Sequence, residues 1–179
     1  MTQLQKSNKI KAFLFSPILI YIIRCIIGFS IGYFLLKSFP GFDLFWALLS
    51  ILLVISPEGK DSKRLSMERV KANFIGALSG IIVFSLPIEV YFKILIGITA
   101  AALICKLFNL LNVSRSAIVP IIIVLMERPD ESFMAPVERF VSVFIGCIIG
   151  LLVTVSTAFM IKFVHRKILD LEYHISNKN

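Results

Sequence analysis

Three arginines stand in a chain that has little use for charge. Arg69 and Arg139 hold the same place in two copies of one pattern: Glu68-Arg69 leads to Phe74-Ile75-Gly76 and Gly80, and seventy residues later Glu138-Arg139 leads to Phe144-Ile145-Gly146 and Gly150. Both copies read ER-x4-FIG-x3-G, and both open a long apolar run. Arg24 lies inside another apolar run, about eleven residues or roughly 16 Å from its start, a depth close to mid-membrane. A guanidinium there costs about 2.5–3.5 kcal/mol on insertion scales. It needs an anion in a wet cavity, a carboxylate such as Glu68 or Glu138, or backbone carbonyls freed near a helix break. Arg69 and Arg139, at the edges of their runs, either shape the field at two mouths of a pathway or act as ordinary interfacial anchors.

Other chemistry is sparse. Cys25, Cys105 and Cys147 all fall in apolar stretches, without a CxxC partner or a histidine at ligand spacing, so they read as small buried hydrophobes rather than a metal site. His165 and His174 lie near the polar C-terminus. No HExxH, GxSxG or phosphate loop occurs, and no nucleophile–base pair falls inside the apolar runs. We expect neither an enzyme nor a cofactor-binding protein.

The elements that must position these arginines are membrane helices. Of 179 residues, 58% are hydrophobic and only 17% charged, with a mean hydropathy of +0.89. Soluble domains carry about 25% charged residues, so lipid is the expected solvent. The net charge of +8 is dispersed between apolar runs, which is a topology signal and not a nucleic-acid patch. Six spans are predicted, over about 13–36, 43–57, 70–87, 90–108, 114–126 and 140–162. Turns at Phe39-Pro-Gly-Phe-Asp43, Ser56-Pro-Glu-Gly59, Pro87 and Glu127-Arg-Pro-Asp-Glu131 separate them. The first run is too long for a signal-peptide core and reads as a retained helix.

Putting the N-terminus, the 58–71 and 106–115 loops and the C-terminus on one side gathers 14 of the 19 lysines and arginines. By the positive-inside rule that side is cytoplasmic, and the protein belongs in the cytoplasmic membrane with both termini inside. Three spans per half then make the second copy start from the opposite face. The expected fold is all-α: two inverted three-helix repeats, about 13–87 and 90–162, in one unit over 1–162. A short cytoplasmic helical tail follows over 163–179, with Val164, Ile168, Leu171 and Ile175 on one stripe. That stripe suits pairing of two chains or a position on the bilayer surface.

Spans 2 and 5 are short. Fourteen residues separate Asp43 from Glu58, and eleven separate Arg115 from Glu127. Helices of these lengths reach about 21 and about 17 Å, against a hydrocarbon core of about 30 Å. Span 5 carries Pro120 at its middle, where span 2 carries Ser50, and Trp46 opens span 2. Short or interrupted spans at corresponding places in two halves point to a transport site; thin-membrane packing is the alternative. The candidate pathway therefore comprises Arg24, Trp46, Ser50, Arg69, Arg115, Pro120 and Arg139, with Trp46 equally able to serve as a belt residue. The pairs Gly28/Gly32, Gly76/Gly80 and Gly146/Gly150 are GxxxG motifs, expected to let helices approach closely.

Phe45-Trp46 opening a span, the Pro57 turn, a basic segment, then Arg69 with Gly76 and Gly80 resembles the fusaric acid resistance and aromatic acid exporter family. The pattern is also similar, more distantly, to plant aluminium-activated malate transporters. Arg139 with Gly146 and Gly150 resembles the family's second Arg-Gly signature, and the resemblance spans about residues 20–160. It implies export of organic anions, particularly aromatic carboxylates, which in bacterial members is thought to draw on the proton gradient. Many members are longer, with a soluble domain and sometimes a second membrane unit, so a homo-oligomer, most simply a dimer, is implied here. The competing expectation is a non-transporting membrane scaffold or subunit. The two part at Arg24, which a transporter exposes to water and a scaffold seals.

Overall fold

Proline and glycine set where these helices stop. The computed structural model describes residues 16–127 and 134–176, and helices with their connecting turns account for the secondary structure there. The basic N-terminal segment with Lys6, Lys9 and Lys11, most of the turn after Glu127, and Lys178 lie outside the described residues. Helix α1 runs Pro17–Ser38, with Pro17 at its first turn where its missing N–H is harmless. Helix α2, Phe45–Val54, has only ten residues, about 15 Å. It ends earlier than the apolar run: Ile55 is extended, and the proline at 57 disfavours the helical region for the residue before it, Ser56, so the helix stops ahead of that pair.

A single 3₁₀ turn at Gly59–Asp61 leads into α3, Ser62–Phe84. That helix begins eight residues before the expected span. Its charged first turns are knitted by Arg64, which lies 3.8 Å from Asp61 and 3.2 Å from Glu68. The 3₁₀ turn is itself polar: Lys60 meets Glu58 at 3.0 Å, and that carboxylate holds the ammonium above its ordinary range.

Helix α4, Val90–Leu107, closes through Asn109 at φ 54°, with the Leu110 N–H donating to the Cys105 carbonyl. This is the left-handed ending that asparagine tolerates. A 3₁₀ turn at Leu111–Val113 precedes α5, Ser114–Glu127, which holds Pro120 inside it. Helix α6 runs from Ala135 to Ser176 without a break. Its 42 residues measure about 63 Å, twice a hydrocarbon core. Residues 163–176 of the expected tail continue this helix, and 177–179 lie outside the described residues.

Among the described residues three helices are long and apolar enough to cross a membrane: Pro17–Ser38, Val90–Leu107 and Ala135–Ile168; α2 and the Leu111–Ile123 stretch are shorter apolar segments. Large apolar side chains cover the outside, among them Ile18, Ile26, Phe34, Tyr91, Leu103, Leu152 and Phe159. Within the described residues the chain is an all-helical membrane protein.

The interior is organised by exchange between halves. Helix α2 packs chiefly on α6, and α5 on α3, while α3 and α6 cross each other. Glycines make the crossings possible. A Cβ at Gly146 would overlap the Ala47 carbonyl and come within 2.8 Å of Ser50 Cβ. A Cβ at Gly76 would stand 2.9 Å from the Ala117 carbonyl and 3.2 Å from Pro120 Cβ. Each residue of the first contact has its counterpart, seventy positions away, in the second. Gly28 and Gly32 serve the α1–α2 contact, against Ile55, Ile51 and Leu48. One apolar core, with Ile75, Ala101, Cys105, Ala117 and Ile121, fills the space among α3, α4 and α5. Smaller ones around Ile51 and around Val54 and Cys147 lie against α6.

Candidate functional site

Helix α2 is flanked by α3 and α6, and a repeat arginine from each of them reaches it. Ser50 is fully buried and donates to the Trp46 carbonyl at 2.6 Å, the usual return of a helical serine to residue i−4. The same hydroxyl oxygen accepts the Arg69 Nε–H from α3 at 3.0 Å. One turn on, Asn73 donates to the Arg69 carbonyl at 3.0 Å and is itself buried.

From the other side comes Arg139, on the second turn of α6 and 6% exposed. Its guanidinium carbon lies 3.4 Å from the centre of the Trp46 ring. A cation so placed is drawn by the ring's quadrupole, an attraction of about 2 kcal/mol or more when desolvated. Phe45 braces that ring edge-on at 5.7 Å. Arg139, Trp46, Ser50 and Arg69 therefore form one continuous line across α6, α2 and α3. In an apolar bundle this is a strip of fixed positive charge with an aromatic face at its centre.

Beside the strip runs a narrow cleft between α3, α5 and α6, lined by Asn73, Gly76, Gly80, Pro120, Pro136 and Arg139. Its volume is about 10 Å³, room for one water molecule. Pro120 joins the site here.

Arg24 belongs to a second polar cluster. It is 5% exposed; its Nε–H donates to Thr157 Oγ1 at 2.9 Å and Nη1 to the Ser56 carbonyl at 3.2 Å. Around it the Ser56 N–H donates to Ser62 Oγ at 3.2 Å, and Thr154 reaches the same oxygen at 3.4 Å. The sequence reading set Arg24 near mid-membrane. In the structure it lies seven residues past Pro17, about 10 Å along α1. It is level with the polar turn that follows α2, because that helix ends early. Of the three environments the sequence allowed, this is the capping of carbonyls past a helix end. Glu68, one of the expected partners, receives Arg64 instead, and Glu138 is exposed.

Arg115 is exposed at the start of α5 and stands apart from both clusters. Asn73, Ser56, Ser62, Thr154 and Thr157 were not singled out from the sequence. Their signal was present: Thr154 and Thr157 are hydroxyls three apart inside a long apolar span. Among the described residues no group of three or more His, Cys, Asp or Glu side chains is placed to hold a metal ion.

The family described as fusaric acid resistance protein-like matches residues 18–153, about three quarters of the chain. No curated protein and no solved structure matches.

Proposed function

The chain belongs to the fusaric acid resistance protein-like family, a family of membrane transport and resistance proteins, and on that premise we propose that it exports organic anions, aromatic carboxylates in particular, across the cytoplasmic membrane. The observation that carries this reading is the strip of two arginines meeting on α2. One guanidinium is stacked on Trp46 and the other held by Ser50, within helices whose outer faces are apolar. Planar guanidinium groups match carboxylates in a way that ammonium groups do not. Fixed charge in a low-dielectric interior offsets much of an anion's desolvation.

In this reading the six helices are six spans, and the two halves are inverted repeats whose second helices pack on each other's third. The reciprocal contacts of Gly76 and Gly146 support it. The positive-inside count supports cytoplasmic termini, and the family's larger complement of helices supports a homodimer. Arg24 takes a different part from the one its sequence position suggested: it seals the cytoplasmic end of α2, and the pull on the anion passes to Arg69 and Arg139.

A second reading has an observation of its own. Arg24 is closed off by Thr157 and the Ser56 carbonyl, as a non-transporting scaffold would have it. Growth separates the two. Cells expressing the protein should tolerate an inhibitory aromatic acid at higher concentration than cells expressing Arg139→Gln at equal membrane abundance. Equal tolerance would favour the scaffold.

A further inference from the structure

A duplicated chain shows where its two halves have parted. At the seventy-residue offset, Glu138 at the start of α6 corresponds to Glu68 on α3, and the turn between α1 and α2 to the turn between α4 and α5. Side chains three or four places apart on a helix are neighbours. Glu68 has Arg64 and Lys71 at those spacings, and Arg64 holds it at 3.2 Å. Glu138 has Met134 and Val141 at the same two places. The turns differ in the same sense: Phe39, Phe42 and Leu44 stand where the second half has Asn109, Asn112 and Ser114.

These changes meet at one end of the bundle. A groove of about 520 Å³ lies between the end of α1, the turn that follows it and the start of α6. That volume is in the range of small-molecule sites, about 300–1,000 Å³. Phe39, Phe42, Met134 and Val141 line it, and buried Ser142 adds a hydroxyl. Glu138 stands in its wall, the one charged group of the lining among the described residues. The neighbouring Arg139 turns its guanidinium to Trp46 on α2. In the other half the corresponding space is filled: Cys105, the counterpart of Leu35 in the groove wall, is fully buried in the core among α3, α4 and α5.

We infer that this groove is a binding site for a lipophilic aromatic cation. A carboxylate beside a wall of low dielectric attracts a positive charge more strongly than it would in water. The rings of Phe39 and Phe42 add cation–π attraction, and the apolar lining takes the body of the ligand. The membrane offers a rival ammonium group, the head of an aminophospholipid, but its phosphate would be brought up to Glu138 and repelled. A ligand with one positive charge and no anion suits the groove better. Glu138 equally repels aromatic acids, so this site is separate from the arginine strip and stands whether or not the strip exports anions.

Tetraphenylphosphonium is a probe with the required chemistry. Full-length protein in phosphatidylglycerol nanodiscs, dialysed against the labelled cation, should bind it saturably above empty discs of the same lipid. Tetraphenylborate, the same shape with the opposite charge, should show no saturable component. Glu138→Gln should weaken the cation at least about fivefold, the ratio that about 1 kcal/mol of charge pairing gives. Met134→Arg, at an exposed position, supplies Glu138 with the cation that Arg64 gives Glu68, and should weaken binding as much or more. Glu68→Gln should leave it within about twofold, a difference of less than half a kcal/mol. Helical content and a monodisperse elution profile establish that each variant is folded. No saturable binding by wild type would overturn the site, as would equal binding of tetraphenylborate or unchanged binding in both Glu138→Gln and Met134→Arg. Loss of the saturable component when phosphatidylethanolamine replaces half of the lipid would also overturn it, assigning the groove to a lipid head group.

Discussion

Arg24 illustrates what a buried charge needs before it can do anything else. Two of its donors are taken by Thr157 and by the carbonyl of Ser56, so its first duty is to close the end of α2. Hydrogen bonds to charged groups contribute about 1.5–3 kcal/mol each. We expect Arg24→Gln to lose stability on that order, seen as a lower unfolding midpoint in detergent and less folded protein in the membrane. Lysine cannot reach both acceptors from one point charge, so Arg24→Lys should recover only part. A well-folded Arg24→Gln that has lost efflux alone would instead restore the anion-attracting role. The sequence reading could place an arginine in an apolar run and state the three environments open to it. It could not choose among them, because the choice depends on Thr157, 133 positions away. Arg69 and Arg139 were legible for the opposite reason: a duplicated motif marks both at once, whatever the distance between them. Arg115 entered the candidate set only as the boundary of a short span, and nothing in its surroundings ties it to the strip.

At the scale of elements, hydropathy located the helices and misjudged several of their ends. It measures affinity for lipid, whereas a helix continues as long as its backbone bonds and side-chain pairs allow. Arg64 and Glu68 carry α3 eight residues further back than its apolar run, and α6 passes through Lys162, Arg166 and Lys167 without a break. The glycine pairs lie at helix contacts of unequal tightness, which appears only in three dimensions. That inequality is testable. Gly146→Ala would drive a methyl group into the Ala47 backbone, which cannot move aside cheaply. Overpacking of this kind costs about 1–3 kcal/mol, sometimes more. Gly80→Ala meets only Pro136, at 3.2 Å, and should cost well under half as much. Unfolding curves of the two variants in the same detergent check the ordering, and equal losses would contradict it.

For the whole molecule, the reciprocal exchange of second helices gives the duplication a physical meaning. Each short helix packs chiefly on the third helix of the other half. Inversion predicts sidedness. In a background without the three native cysteines, single cysteines at 59–66 should be labelled only from the cytoplasm, and those at 129–135 only from outside. Matching accessibility at the two loops would contradict the inverted arrangement. A dimer is expected as well, and native mass measurement in nanodiscs decides it; a fully active monomer would refute it.

The claim on which the rest depends is that the arginine strip on α2 carries organic anions across the bilayer. Purified protein reconstituted into vesicles preloaded with labelled benzoate tests it most directly. Wild-type protein should release benzoate well above the rate of protein-free vesicles, and the Arg69→Gln/Arg139→Gln double variant, incorporated to the same density, should fall to the protein-free rate. Release by the double variant at the wild-type rate would contradict the proposed function.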